Sequence, residues 1–308
     1  MTWNKHEIPT ADNKTAVITG ANRGLGFEVT KELVNHNCSV IMACRNLEKA
    51  EKAKSKIVNG SPGADIELIQ LNLADLNSIR EFNDQFAENY SNVDFLVNNA
   101  GIFHAPQMES EDGYEMHLAV NHLGHFLLTN HLFKYLKQAE QSRIVTVTSI
   151  GYRFGELHFD DINLREDYTR TKGYAQSKLA NLMFAIELQR RIDANQITNV
   201  KSIATHPGVS KTNIYKTGPH LHAYSLWNWF YYPFYFLFSQ SPEKGALSIL
   251  RAIFDDNLVG GEFIGPKGMF GIRGRPEILQ PQSKAIDTEN AKKLWDLSEE
   301  LTKIKFTI

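Results

Sequence analysis

Only two cysteines occur in the 308 residues, Cys38 and Cys44, and both fall in or beside one predicted strand. Such a pair builds neither a disulfide framework nor a zinc ribbon, and a reducing compartment is expected. The chain also lacks an uncharged apolar run of about 18 residues, the minimum for a membrane-spanning helix. Its opening residues, Met1 to Pro9, have no apolar centre of the kind a signal peptide carries, so a soluble cytoplasmic protein is expected. Charge of one sign is missing as well: 33 Lys and Arg stand against 35 Asp and Glu, a formal net charge of −2. Tracking a phosphate backbone requires concentrated positive charge, so nucleic acid is not an expected partner. No linker rich in Gly, Ser or Pro divides the chain and no repeat of about 20 to 50 residues is evident. Residues 1–308 are therefore read as one domain.

What is present is globular material, with 42% hydrophobic and 22% charged residues, enough for a core and too apolar for a disordered chain. Seven apolar or β-branched runs stand at Ala16 to Ile18, Ser39 to Ala43, Ile66 to Leu71, Phe95 to Val97, Ile144 to Thr148, Val200 to Ala204 and Phe263 to Ile264. Helical spacing fills the gaps: Gly24 to Val34, Leu47 to Ile57, Ile79 to Phe86, 114 to 136, Tyr174 to Ile192 and Pro242 to Phe254. Strands separated by helices must be joined by crossovers, so an α/β doubly wound parallel sheet of about seven strands is expected, with helices on both faces. One aromatic stretch, 226–238, interrupts the alternation inside an insertion at about 209–240. It is too short to span a bilayer, and three readings stand: a hydrophobic substrate wall, a shallow membrane contact through Trp227 and Trp229, or core packing of an ordinary insertion.

Between the first strand and the first helix lies Thr19-Gly20-Ala21-Asn22-Arg23-Gly24-Leu25-Gly26. Glycines there let the backbone turn sharply and approach a diphosphate, while the helix start offers free N–H groups and partial positive charge. An NAD site generally carries a carboxylate about 20 residues further on, for the ribose hydroxyls. Here the second strand ends in Ala43-Cys44-Arg45-Asn46, without one. Arg45, with Arg23 from the glycine turn, can instead pair with a 2′-phosphate, which makes NADP(H) the expected cofactor.

Tyr174-Ala175-Gln176-Ser177-Lys178 places a phenol and an ammonium one helical turn apart on one face. A free phenol titrates near pH 10, and a nearby ammonium favours its ionised form. Ser149 closes the fifth strand and Asn98-Asn99-Ala100-Gly101 the fourth, at the strand ends where ligands collect in this architecture; Asn121 falls in the helical segment between them. His117, His122, His125 and His131 cluster on or near one helix. They are read as packing or hydrogen-bonding around Asn121 and not as a metal site, since no acidic or cysteine residues complete a ligand set.

The glycine turn, Asn98-Asn99-Ala100-Gly101, Asn121, Ser149, Tyr174-x-x-x-Lys178 and His206-Pro207-Gly208 follow one another over residues 14–265 in an order that resembles the classical short-chain dehydrogenase/reductase family, a Rossmann-type fold. The wording Ala-Cys-Arg-Asn, Val-Asn-His-Leu-Gly-His-Phe at 120–126 and Tyr-Ala-Gln-Ser-Lys-Leu-Ala-Asn at 174–181 is similar to its retinol dehydrogenase branch, near the WW-domain oxidoreductases and protochlorophyllide reductases. The resemblance implies an NADP(H)-dependent oxidoreductase interconverting an apolar aldehyde or ketone, retinal-like or lipid-derived, and its alcohol. It implies Tyr174 as proton donor, Lys178 on the nicotinamide ribose and lowering the Tyr174 pKa, Ser149 fixing the carbonyl, and Asn121 positioning a water beside Lys178. For the cofactor it implies Gly20, Asn22, Arg23, Gly24, Leu25, Gly26, Arg45, Asn46, Asn72, Leu73, Asn99, Ala100 and Gly101, together with Pro207, Gly208, Val209 and Thr212. Asn72 departs from the family's aspartate, and its side-chain carbonyl is the expected contact to an adenine. Relatives of this family often pair through helices at 113–136 and 174–192, so a homo-oligomer is a further expectation. A cofactor-sensing protein without turnover and a light-driven pigment reductase are the alternatives.

Overall fold

A computed structural model describes residues 3, 5, 8–209, 239–268 and 271–308, so Thr212 and the aromatic stretch 226–238 lie outside the described residues. Eight strands form one sheet: β1 (Thr15–Thr19), β2 (Ser39–Cys44), β3 (Ile66–Gln70), β4 (Phe95–Asn98), β5 (Ser142–Val147), β6 (Val200–Thr205), β7 (Phe263–Pro266) and β8 (Pro276–Leu279). Their order across the sheet is β3-β2-β1-β4-β5-β6-β7-β8. The chain runs outward from β1 to β3, then returns to the other side of β1 with β4. That reversal opens a crevice at the carboxyl ends of β1 and β4, where this architecture binds ligands.

The strands pair parallel from β3 through β7, with Val17 of β1 opposite Ile41 of β2 and Leu96 of β4. Period-two alternation sends neighbouring residues to opposite cores. Ile18, Met42 and Val97 pack with α1 (Gly24–Asn35), α2 (Leu47–Gly60) and α6 (Pro242–Phe254) through Leu33, Ile57 and Ile249. Val17, Ile41 and Leu96 pack on the other face with α3 (Leu76–Asn89), α4 (Gly124–Leu136) and α5 (Arg170–Ala194) through Phe82, Phe126 and Leu188. Side chains set the helix starts: Asn46 accepts from Lys49 N, Asp75 from Asn77 N and Ser78 N, and Thr169 from Lys172 N. Each satisfies amides that a helix leaves without an internal partner.

Three features differ from the sequence expectation. An eighth strand is present, and β8 runs antiparallel to β7, with Ile264 opposite Ile278. It is four residues long and begins with proline, the kind of strand an edge tolerates and periodicity does not reveal. The helix expected at 114–136 is divided: a π-helical turn covers Leu118–Leu123 before α4 begins. Such turns concentrate at functional sites, and this one carries Asn121. Finally, α7 (Thr288–Thr302) buries Trp295 against Phe126 and Phe184, an amphipathic helix capped by Asp287.

Candidate active site

Gly20 and Gly24 take φ of 65° and 58°, the left-handed region that favours glycine, and between them the chain turns from β1 into α1. A Cβ on Gly26 would lie 2.6 Å from both Gly20 O and Asn99 Nδ2, so only glycine lets α1 sit this close to the turn. Among the described residues no side chain caps the start of α1, and no acidic residue occupies its first turn. Its amides are left for an anion. Thr19 joins this turn to the loop after β4. Its hydroxyl oxygen accepts from Asn99 N and Ala100 N, each at 2.9 Å, and lies 2.9 Å from His125 Nε2. His125 Nδ1 stands 3.0 Å from Asn121 O, which can only accept, so Nδ1 carries the proton and Nε2 receives the Thr19 hydroxyl.

Ser149 sits just past β5, where its hydroxyl accepts from Gly151 N at 3.1 Å. Burial pushes the Tyr174 phenol up to about 12, against the lowering effect of a hydrogen bond with Ser149. Desolvation is the larger cause and sets the direction of the shift. Lys178 is itself lowered to about 8 by burial. Its ammonium donates to Val147 O at 3.0 Å and lies 6.0 Å from the centre of the Tyr174 ring. Asn121 braces its neighbours: Oδ1 accepts from Ile102 N at 2.8 Å, while Nδ2 donates to Ser177 Oγ at 2.9 Å and Ile102 O at 3.2 Å. Its side chain is buried behind Gly101, where a Cβ would approach Asn121 Oδ1 to 3.1 Å and Lys178 Nζ to 3.4 Å.

One cavity of about 620 Å³ runs across these strand ends. Gly20, Asn22, Arg23, Gly24, Leu25, Arg45, Asn46, Asn72, Leu73, Asn99, Ala100, Gly101, Ser149, Tyr174, Lys178, Pro207 and Gly208 all line it. Gly26 lies beneath its floor and Asn121 behind its wall, and Val209 is held aside by donating to Ile272 O at 2.9 Å. The side-chain carbonyl of Asn72, expected at an adenine, accepts from Ala74 N at 3.3 Å. Sequence reasoning missed Thr19 as a junction, Lys49 at the Arg45 end, and the wall formed by Phe103, Met108 and Met116. It also placed His117 around Asn121, whereas His117 pairs with Glu115 at 2.8 Å; His122 bonds Ser298 at 2.8 Å, and only His125 reaches Asn121.

The short chain dehydrogenase family matches residues 14–220. Retinol dehydrogenase 14 of Mus musculus is 40% identical over 298 residues, covering 93% of this chain and 85% of that protein. Retinol dehydrogenase 13 of Homo sapiens is 37% identical over 293 residues, covering 93% and 83%. The chain belongs to the short-chain dehydrogenase family. A crystal structure of an uncharacterized protein from Mycobacterium paratuberculosis superposes on this short-chain dehydrogenase with a TM-score of 0.80 at 35% identity, covering 100% of each chain. The relatives place it in the retinol dehydrogenase-like branch, and it is an oxidoreductase of the alcohol–carbonyl couple using a nicotinamide dinucleotide. The described residues fit that cofactor. The left-handed glycines and the uncapped start of α1 suit a diphosphate, and the cavity volume falls in the range of about 300–1,000 Å³ typical of ligand sites.

Proposed function

We propose that this short-chain dehydrogenase uses NADP(H) to interconvert an apolar aldehyde or ketone and its alcohol. The observation that carries the reading is the distribution of charge and apolar surface along one cavity. At one end stand Arg23, Arg45 and Lys49, and no Asp or Glu lines the cavity among the described residues. A 2′-phosphate is favoured there by two guanidinium forks and an ammonium, whereas ribose hydroxyls find no carboxylate acceptor. At the other end Ser149, Tyr174 and Lys178 meet a wall of Ile102, Phe103, Met108 and Met116. The names of the relatives, retinol dehydrogenases 13 and 14, agree with a long apolar substrate.

A nicotinamide dinucleotide, held by the glycine turn and by Asn99 to Gly101, would supply or accept the hydride. The protein's own part is proton handling and orientation. Because burial holds the Tyr174 phenol near 12, it remains protonated across the neutral range and donates to the substrate oxygen in reduction. Ser149 directs its hydroxyl at the same oxygen, and the Lys178 ammonium, 6.0 Å from the centre of the Tyr174 ring, favours the phenolate left once the proton is given. Asn121 acts one step back, holding Ile102 and Ser177 on either side of this group. The test is purified protein with NADPH or NADH against aliphatic, aromatic, retinoid and steroid carbonyls. Turnover with NADPH on apolar aldehydes is expected. Tight NADPH binding with no turnover on any of them would instead favour a cofactor-sensing protein.

A further inference from the structure

The segment between Gly101 and the π-helical turn walls the cavity beside Tyr174: Asn121 holds it at Ile102, Met116 N donates to Met108 O at 3.1 Å further on, and between these Ala105 is held on both its N–H and its carbonyl. Ala105 N donates to His117 Nε2 at 3.2 Å, and Ala105 O accepts from the Tyr168 hydroxyl at 2.7 Å. His117 Nδ1 donates to Glu115 Oε1 at 2.8 Å, since a carboxylate only accepts, which leaves Nε2 as the acceptor Ala105 needs. The same carboxylate accepts from His117 N at 2.9 Å and Leu118 N at 2.8 Å. Glu115 and His117 are 2% and 0% exposed, a costly position for a carboxylate and an imidazole that the proton transfer does not use. Gly173 makes the room: a Cβ there would lie 2.9 Å from His117 Nδ1, 3.0 Å from Glu115 Oε1 and 3.2 Å from Tyr168 Cε2. All three groups therefore converge on the first turn of α5, one residue before Tyr174. On the cavity side, the Phe103 ring stands edge-on to Tyr174, with centroids 4.6 Å apart at 85°.

We propose that Glu115, His117 and Tyr168 form a tether that fixes Phe103 as the wall against which the apolar part of the substrate packs, and so sets the preference for long over short carbonyls. The three are positioning residues acting through Ala105 and Phe103. The inference rests on the apolar-carbonyl reading of the site, and two readouts keep them apart. Backbone amide exchange over 102–109 is followed in wild type and Tyr168→Phe, and KM is measured for a ten-carbon and a three-carbon aldehyde in both and in Phe103→Leu. In Tyr168→Phe, exchange at Ala105 and the KM of the long aldehyde are expected to rise about 3- to 10-fold, the weight of one hydrogen bond. The KM for NADPH is expected to move less than about twofold, since the tether lies outside the phosphate end. Phe103→Leu is expected to raise the KM of the long aldehyde more than that of the short one. Unchanged exchange in Tyr168→Phe, or an equal rise in KM for both aldehydes, overturns the tether. Failure of the wild type to reduce any carbonyl overturns the functional reading and the size preference, while the exchange rates still decide whether Tyr168 pins Ala105.

Discussion

Replacing Thr19 by valine keeps the shape of a side chain that is 0% exposed and removes only its hydroxyl. Asn99 N retains a second acceptor, Val97 O at 2.9 Å, so it is not stranded. His125 Nε2 loses its 2.9 Å partner in a fully buried position, and Ala100 N loses its own at the half-buried cavity wall. A buried group without a partner costs about 1–3 kcal/mol, and a half-buried one less, so Thr19→Val is expected to destabilise by about 2–4 kcal/mol. Against a typical total of about 5–15 kcal/mol this is easily measured. In urea denaturation the midpoint falls while the slope is unchanged. Thr19→Ser, which keeps the hydroxyl, recovers most of the loss. Because the same oxygen positions Asn99 and Ala100 on the cofactor side, NADPH affinity falls with stability in the valine variant. A loss below about 0.5 kcal/mol, or a serine variant as damaged as the valine one, would refute the reasoning.

Arg45→Ala is expected to weaken NADPH by about 10- to 100-fold, the range of a charge-assisted hydrogen bond, and to leave NADH within about threefold, read from KM for each cofactor. Acid sensitivity follows from three buried imidazoles: desolvation lowers His122 to about 3, His125 to about 4 and His206 to about 3. Unfolded imidazoles bind protons below about 6.5 that these folded ones refuse, so their stability contribution is intact above that pH and is lost as pH falls toward 4. The unfolding free energy from urea titrations between pH 7 and pH 4.5 should fall by at least about 1.4 kcal/mol per pH unit on average, the slope of one fully shifted group. A flat profile would mean that these rings are solvated.

The glycine turn and the Tyr174-x-x-x-Lys178 pair were legible because each is a local pattern at an element boundary. A turn demanding left-handed backbone at Gly20 and Gly24 writes glycine into the sequence, and a helix brings residues four apart onto one face. Parallel strands buried on both sides likewise show as apolar runs. β8 was hidden because Pro276-Glu277-Ile278-Leu279 is short and lies at an edge, half in water. The π-helical turn at Leu118–Leu123 was hidden because one inserted residue barely disturbs apolar periodicity. The rest of the site depends on distant contacts. Thr19 meets His125, 106 residues away, and Tyr168 meets Ala105, 63 residues away. Gly173 marked the packing of Glu115 and His117 against α5, yet one sequence does not tell such a glycine from any other in a helix. The direction of the Tyr174 shift also needed the structure, because the motif does not show that the phenol is buried.

In the proposed function one cavity binds NADPH and the Tyr174 phenol gives the proton. It is tested most directly by Tyr174→Phe, comparing NADPH dissociation constants with the rate of NADPH oxidation in the presence of an apolar aldehyde. NADPH binding is expected to stay within about threefold of wild type while turnover falls by about 10²- to 10⁴-fold, the usual contribution of a positioned general acid. Turnover within tenfold of wild type in the phenylalanine variant would contradict it.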